Sequence, residues 1–322
     1  MLFLTVLNKI TCPFDISWII LVPSLITMKH KFIWVDAFTD RKFGGNPCAV
    51  VFSADSFSDE QMLTIAKEMG LSETAFIVKS SKADFGARYF TPAEEIPLAG
   101  HPTISVICAL IETGEIVLKG AVTKISLELK AGVIGIEILC GPDGKYEIVM
   151  TQKKPTFLTI HDSKKVCEIF GIDESDLMPN CPIQTVSTGT PQLMIAVKNL
   201  AALQKMSLNA LAYKAYKASS DFFSPHLFCL GGATSQGDTF ARHPGVPPES
   251  AEDAFTGSAT GGMGAYLWRY GLIEKRKFVA EQGHFMGRAG CASVEVVGGR
   301  EDIACVKVGG FGVVLIFGEI GV

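Results

Sequence analysis

The chain has 322 residues, 48% of them hydrophobic, and its 29 basic against 33 acidic side chains leave a formal net charge of −4. That is ample apolar material for one large domain or two ordinary ones, and it excludes a disordered chain. Neither sign of charge forms a run, so a nucleic-acid partner, which needs a clustered basic surface, is excluded too.

Residues 1–28 are apolar in two stretches, Met1 to Asn8 and Ile16 to Met28, broken by Lys9, Asp15 and two prolines. Neither stretch is long enough to span a bilayer, and no basic segment followed by a small-residue cleavage site marks a secretory signal. The segment reads as an extension outside the fold, with Met28 as an alternative start and no membrane partner.

The globular pattern opens with an aromatic and β-branched strand, Lys31 to Phe38. The turn Gly44-Gly45-Asn46-Pro47 leads to a second strand, Cys48 to Phe52. Ser58 with Gln61 three residues on forms a capping box for a helix that Gly70 closes near Met69, and a strand follows from Thr74 to Val78. Further strands are predicted at 87–90, 125–129, 135–139 and 146–150, and the tail from Ala304 to Phe317 is again β-like. Much strand with few helices indicates an α+β fold.

An internal echo organises the chain. Ala99-Gly100-His101-Pro102-Thr103 opens a helix ending near Gly114, and Thr256-Gly257-Ser258-Ala259-Thr260 opens another ending near Gly271, 157 positions later. Each follows an acidic loop, Glu94-Glu95 or Glu252-Asp253, which suggests a duplicated domain. In the second helix Gly261, Gly264 and Ala265 share one face, so its backbone can lie close to surrounding strands.

Helix N-termini carry unpaired N–H groups and partial positive charge, so two of them facing each other would clamp a small anion at Gly100 and Gly257. Glu73, between a helix end and a strand with apolar neighbours, can be desolvated into the range of a general acid or base; on local sequence alone, a solvated connector is the first reading. His101 and Asp253 sit in the echoed loops, where ionisable groups can position a substrate or tune Glu73. Cys48 lacks a motif pairing it to a base and reads as core.

Nine cysteines, an odd number without a C-x-x-C pair, argue against a zinc site or a disulfide framework and for a reducing, cytoplasmic setting. The signatures G-x-x-x-x-G-K-[ST], H-E-x-x-H and G-x-S-x-G are absent, as is a dinucleotide-binding unit. Neither a cofactor nor a metal is expected.

The motifs together resemble the PhzF-like (phenazine biosynthesis isomerase-like) family. They include Val35-Asp36-Ala37-Phe38-Thr39 with Gly45-Asn46-Pro47, Ser72-Glu73-Thr74-Ala75-Phe76, and Arg88-Tyr89-Phe90-Thr91-Pro92 with Gly100-His101-Pro102-Thr103. The agreement continues through Ser187-Thr188-Gly189, Glu252-Asp253 with Thr256-Gly257-Ser258-Ala259, and Gln282-Gly283 with Met286-Gly287-Arg288, covering residues 31 to 318. The resemblance implies the diaminopimelate epimerase-like fold: two pseudo-symmetric domains, each a curved, mostly antiparallel sheet around a central helix, with the site between them. The domains are expected at 29–128 and 129–304, with a C-terminal strand at about 305–318 returning to the first.

The resemblance further implies a cofactor-independent isomerase acting on a small carboxylic acid, and a homodimer. Glu73, His101 and Asp253 would be catalytic, and Asn46, Gly100, Gly257 and Ser258 would bind substrate. Related epimerases carry a cysteine at the head of each glycine loop; Ala99 and Thr256 stand there instead, which disfavours a two-thiol racemase. An amino-acid epimerase and a non-catalytic binding protein remain the competing readings. The segment from Phe240 to Glu252 is longer than the family pattern, with Arg242-His243-Pro244 inside it.

Overall fold

In the computed structural model, residues 29–246 and 251–322 are described. The N-terminal extension expected at 1–28 lies outside the described residues. The first half of the chain forms β1 (Lys29–Ala37), β2 (Asn46–Val51), α1 (Asp59–Met69), β3 (Thr74–Val78), β4 (Phe85–Phe90), the short β5 (Glu95–Ile96), α2 (Gly100–Glu112), β6 (Val122–Leu129), β7 (Gly132–Cys140) and β8 (Tyr146–Thr151). The expected capping box starts α1: Gln61 N–H donates to the Ser58 hydroxyl while the Gln61 side chain accepts from Ser58 N–H. Gly70, in the left-handed region at φ 64°, ends it.

The second half contains β9 (Thr156–Ile160), α3 (Ser163–Phe170), β10 (Gln184–Ser187), β11 (Pro191–Ala196), α4 (Leu200–Lys205), α5 (Ala210–Lys217), β12 (Ser224–Leu230), β13 (Thr239–Val246), the short β14 (Ala251–Asp253), α6 (Gly257–Arg269), β15 (Lys277–Gln282), β16 (Gly290–Gly298) and β17 (Ile303–Gly310). The last strand is β18 (Gly312–Gly321).

Pairing runs without a break through β18-β1-β2-β3-β4-β6-β7-β8 and then β17-β16-β15-β13-β12-β11-β10-β9. Read from β18 inward, neighbours pair antiparallel, antiparallel, parallel, antiparallel, parallel, antiparallel, antiparallel. Read from β9 inward, the second half repeats the same series of senses. The short strands β5 and β14 and the helices α2 and α6 fall at matching places, so the echoed loops mark equivalent points of two equivalent units.

The seam between them is the antiparallel pair β8·β17, from Thr151 opposite Lys307 to Ile148 opposite Gly310. The boundary expected near residue 128 falls within the β6–β7 hairpin, whose ladder runs continuously from Val122–Leu139 to Leu129–Gly132 across a tight turn. The expected returning tail is likewise divided: β17 stays in the second unit, and only β18 crosses back to pair with β1.

Each central helix is enclosed by its sheet. Gly100 through Leu110 of α2 and Gly257 through Trp268 of α6 are all buried, as a helix without a polar face must be. The small-residue face of α6 allows close approach: a Cβ on Gly264 would stand 2.9 Å from Val294 Cγ1. One apolar core runs through both units, with satellite clusters beneath α1 and beneath α3 to α5.

Candidate active site

The two helix tips meet at the seam. A Cβ on Gly100 would lie 2.8 Å from Gly257 Cα, so only glycine lets these backbones touch. Phe38, stacked on Phe255 with ring centroids 4.3 Å apart, packs beside Gly257.

Around this contact the topology gathers residues from distant positions. Asn46 begins β2, Glu73 ends the turn from α1 into β3, His101 is the second residue of α2, Asp253 ends β14, and Ser258 is the second residue of α6. The side-chain nitrogen of Asn46 lies 2.7 Å from Asp253 Oδ1, 2.9 Å from the Phe255 carbonyl and 3.0 Å from His101 Nδ1. The Phe255 carbonyl can only accept, which fixes the amide with its NH2 on that side. His101 Nδ1, facing those N–H groups, must be unprotonated, so the neutral ring carries its proton on Nε2.

That Nε2 is 3.2 Å from Glu73 Oε2. The two atoms are not aligned as a hydrogen bond, and both are buried without a partner. Burial drives the His101 pKa down to about 3, so the contact is between a neutral imidazole and a carboxyl group, not an ion pair. Burial, and then the charge of Asp253, push the Glu73 pKa up to about 8. Asp253 is raised by burial to about 6, held back by hydrogen bonds from Thr256, at 2.5 Å, and from Asn46. Of the two carboxyls, Asp253 has more donors, Thr256 and Asn46 beside the Ser72 hydroxyl that also serves Glu73, and it ionises first.

Glu73 and Asp253 open onto a cleft of about 420 Å³, lined from the first unit by Ser72, Glu73, Thr91 and residues 96–99, and from the second by residues 189–192, 220–224, His243, Asp253, Thr256 and Ser258. Of the expected site residues, Glu73, Asp253 and Ser258 line the cleft. Asn46, Gly100, His101 and Gly257 do not. Asn46, expected to bind substrate, has its side-chain nitrogen facing His101, Asp253 and the Phe255 carbonyl. Cys48 is fully buried, and burial pushes its thiol far above the ordinary range, in keeping with a core residue.

A sequence profile of the phenazine biosynthesis-like protein family matches residues 35–318. The chain belongs to this family. An uncharacterized isomerase of Bacillus subtilis (strain 168) is 35% identical over 81% of this chain and 88% of its own length. The trans-2,3-dihydro-3-hydroxyanthranilate isomerase of Pseudomonas chlororaphis is 31% identical over 90% of this chain and 99% of its own. The crystal structure of a Bacillus anthracis phenazine biosynthesis protein of the PhzF family superposes with a TM-score of 0.81 at 30% identity, covering 92% of this chain and all of that one. The PhzF-family chain has the diaminopimelate epimerase-like fold and is an isomerase.

Within this family member, sequence reasoning missed Ser72, Thr256, Gln282 and the floor formed by Gln192, Ser224 and His243. Ser72 adjoins Glu73 and Thr256 precedes Gly257, so proximity to the motifs was an available signal. Gln282 donates to the Asp253 carbonyl at 2.8 Å from the Gln282-Gly283 motif. Gln192 and Ser224 gave no signal, since their adjacent places in the cleft lining arise from parallel pairing of β11 with β12. Glu73, His101 and Asp253 bring one ligand atom each within 4.8 Å of one another, a spacing a cation can also use. Among the described residues, no helix is long and apolar enough to cross a membrane.

Proposed function

We propose that this isomerase shifts a proton on a small carboxylic acid without a cofactor, with Glu73 as general base and then general acid. The observation that carries the reading is the Glu73 carboxyl: half-buried, raised in pKa, enclosed and unpartnered at Oε2, and facing the cleft beside a neutral imidazole. The ionised carboxylate takes a proton from a carbon conjugated to the substrate's carboxylate or double bond. The C–H electrons delocalise into that system, and the same proton is redelivered at another carbon. The N–H groups at the tips of α2 and α6 stabilise the charge that accumulates on the substrate carboxylate.

A two-base epimerase suits the geometry less well. Hydrogen-bond reach of about 3 Å on either side of a carbon would put two opposed bases about 6 Å apart. The ligand atoms of Glu73, His101 and Asp253 lie closer together than that, so the cluster serves one face of a substrate. The activity named for the Pseudomonas relative supplies a first substrate to test, trans-2,3-dihydro-3-hydroxyanthranilate.

Turnover in deuterated water, followed by NMR, tests the assignment. Glu73→Gln is expected to lose roughly 10²- to 10⁴-fold in kcat, with ligand binding largely preserved. Undiminished turnover would reject Glu73 as the proton carrier. Dialysis against a chelator is expected to leave the rate unchanged, and a loss restored by added divalent ion would transfer the role to a metal held by the carboxyl cluster. The proposal includes a cytoplasmic setting and a homodimer. All the described cysteines are free thiols, as a reducing compartment keeps them, and Ile316 and Phe317 of β18 are exposed, as an interface between copies would use them.

A further inference from the structure

Along the second-unit wall of the cleft runs a chain of buried polar side chains that the proton shift does not use. His226 Nδ1 lies 3.1 Å from His243 Nδ1, and His243 Nε2 lies 2.8 Å from Ser224 Oγ. The Ser224 hydroxyl donates to Gln192 Oε1 at 2.7 Å, and Gln192 Nε2 lies 3.5 Å from Ser258 Oγ. His243, Ser224, Gln192 and Ser258 all line the floor of the cleft.

The direction of this chain is set at its deep end. Burial holds both imidazoles well below the ordinary histidine range, so each is neutral with one N–H. His226 Nε2 is buried and has no hydrogen-bond partner. A stranded N–H is costlier than a bare acceptor, so His226 carries its proton on Nδ1 and donates to His243. His243 then donates from Nε2 to Ser224, and Ser224 donates to Gln192 Oε1. With its oxygen engaged, the carboxamide turns its NH2 toward Ser258 and the cleft. Reversing it would reverse every link and leave an N–H of His226 unpaired in the core.

We infer that Gln192, held NH2-outward by Ser224, His243 and His226, is a specificity-determining residue that selects substrates carrying an oxygen acceptor at the cleft floor, apart from the carboxylate, and disfavours an ammonium there. The inference rests on the proposed carboxylic-acid reading. The remaining wall is largely apolar, with Ile96, Leu98 and Phe222 suited to a ring or unsaturated chain, so this floor supplies directional recognition. A donor left unpaired by the wrong ligand penalises that ligand more than a missing apolar contact does.

Three near-isosteric series test this by titration calorimetry on the full chain: 3- and 4-(hydroxymethyl)benzoate, 3- and 4-ethylbenzoate, and 3- and 4-(aminomethyl)benzoate. The wild-type protein is expected to bind one hydroxymethyl isomer about tenfold or more tightly than its ethyl and aminomethyl counterparts. Gln192→Met is expected to reduce that preference to within about twofold, and Gln192→Glu to turn it toward the aminomethyl compound. Ser224→Ala, which releases the carboxamide to rotate, should shrink the preference severalfold and serves as the check if a Gln192 variant fails to fold. Equal wild-type affinities within each isomer series, or a preference undiminished in the folded variants, would overturn the inference alone. Failure of the wild type to bind any of the benzoates would overturn the carboxylic-acid reading and this inference with it.

Discussion

At Glu73 the requirements of folding and chemistry pull in opposite directions. Its pKa is raised in the fold, so below about pH 4.5 the carboxyl is protonated in both folded and unfolded chains and its burial carries no electrostatic penalty. As pH rises toward 8 the unfolded chain is ionised while the folded one retains the proton, and that part of stability is lost. His101 and His226 act on the acid side: their depressed values mean that only the unfolded chain takes up these protons between pH 6.5 and 3, so stability falls as pH drops through that window. Stability from these three groups is therefore greatest at about pH 6.5, where the gain from the two histidines and the loss from Glu73 balance. Glu73→Gln, which removes the ionisable group, is expected to be more stable than wild type at pH 8.5 by on the order of 1–3 kcal/mol in urea denaturation, with the difference gone at pH 5. An unchanged difference across that range would show that Glu73 is not the group titrating.

The same shift shapes the rate. A base must be ionised before it can take a proton, so kcat/KM should climb with pH through an apparent pKa near 8, set by the Glu73–Asp253 pair acting together. Asp253→Asn removes the neighbouring charge and should move this limb to lower pH. A limb that stays in place would assign the titration elsewhere.

At the scale of elements, the legible parts were those whose signals are local. The capping box at Ser58 and Gln61, the strand from Thr74 to Val78 and the two glycine-headed helices follow from short-range patterns that the fold retains. Glu73, His101 and Asp253 were readable because they lie within or beside those patterns. The unit boundary was not, since β6, β7 and β8 are joined by short turns with no linker composition, and the seam depends on long-range pairing of β8 with β17. The contacts of Asn46 were not legible for a related reason: three of its partners lie 55 residues or more away, and sequence spacing does not convey where its amide is used.

The small-residue face of α6 shows how an element can control the site. Gln152, just after β8, donates to the Gly257 carbonyl at 2.8 Å and accepts from Thr188, which fixes the first turn of α6. A Cβ at Gly261 would stand 1.9 Å from Gln152 Oε1, so Gly261→Ala must displace that side chain. The expected loss is about 1–3 kcal/mol of stability by thermal denaturation, together with a higher KM from a displaced Gly257 tip. Gly135→Ala meets open space on β7 and should leave KM unchanged.

At the scale of the molecule, the two units differ chiefly in where the chain is open. In the second, β9 leads through α3 into β10; in the first, the equivalent strand β18 is the last of the chain and β1 the first described. Their pairing sets Gly321 opposite Lys29, so these ends are adjacent and a short flexible linker spans them. Joining these ends would make the chain path a cycle of two repeats. A circular permutant that starts at Lys154, joins Val322 to Lys29 through a few Gly and Ser residues, omits residues 1–28 and ends at Lys153 makes each unit continuous in sequence. Because the cut falls at the seam and leaves every β-ladder intact, it should unfold in one cooperative transition within about 10 °C of the parent Tm and keep its turnover. Deleting residues 312–322 instead strips β1 of one of its two antiparallel partners, leaving only β2, and exposes the edge of the first unit. That variant is expected to aggregate or lose cooperative unfolding. A permutant that fails while the truncated chain folds would mean that the terminal strand is an accessory, and that the unit it completes in the strand order is not the unit that folds.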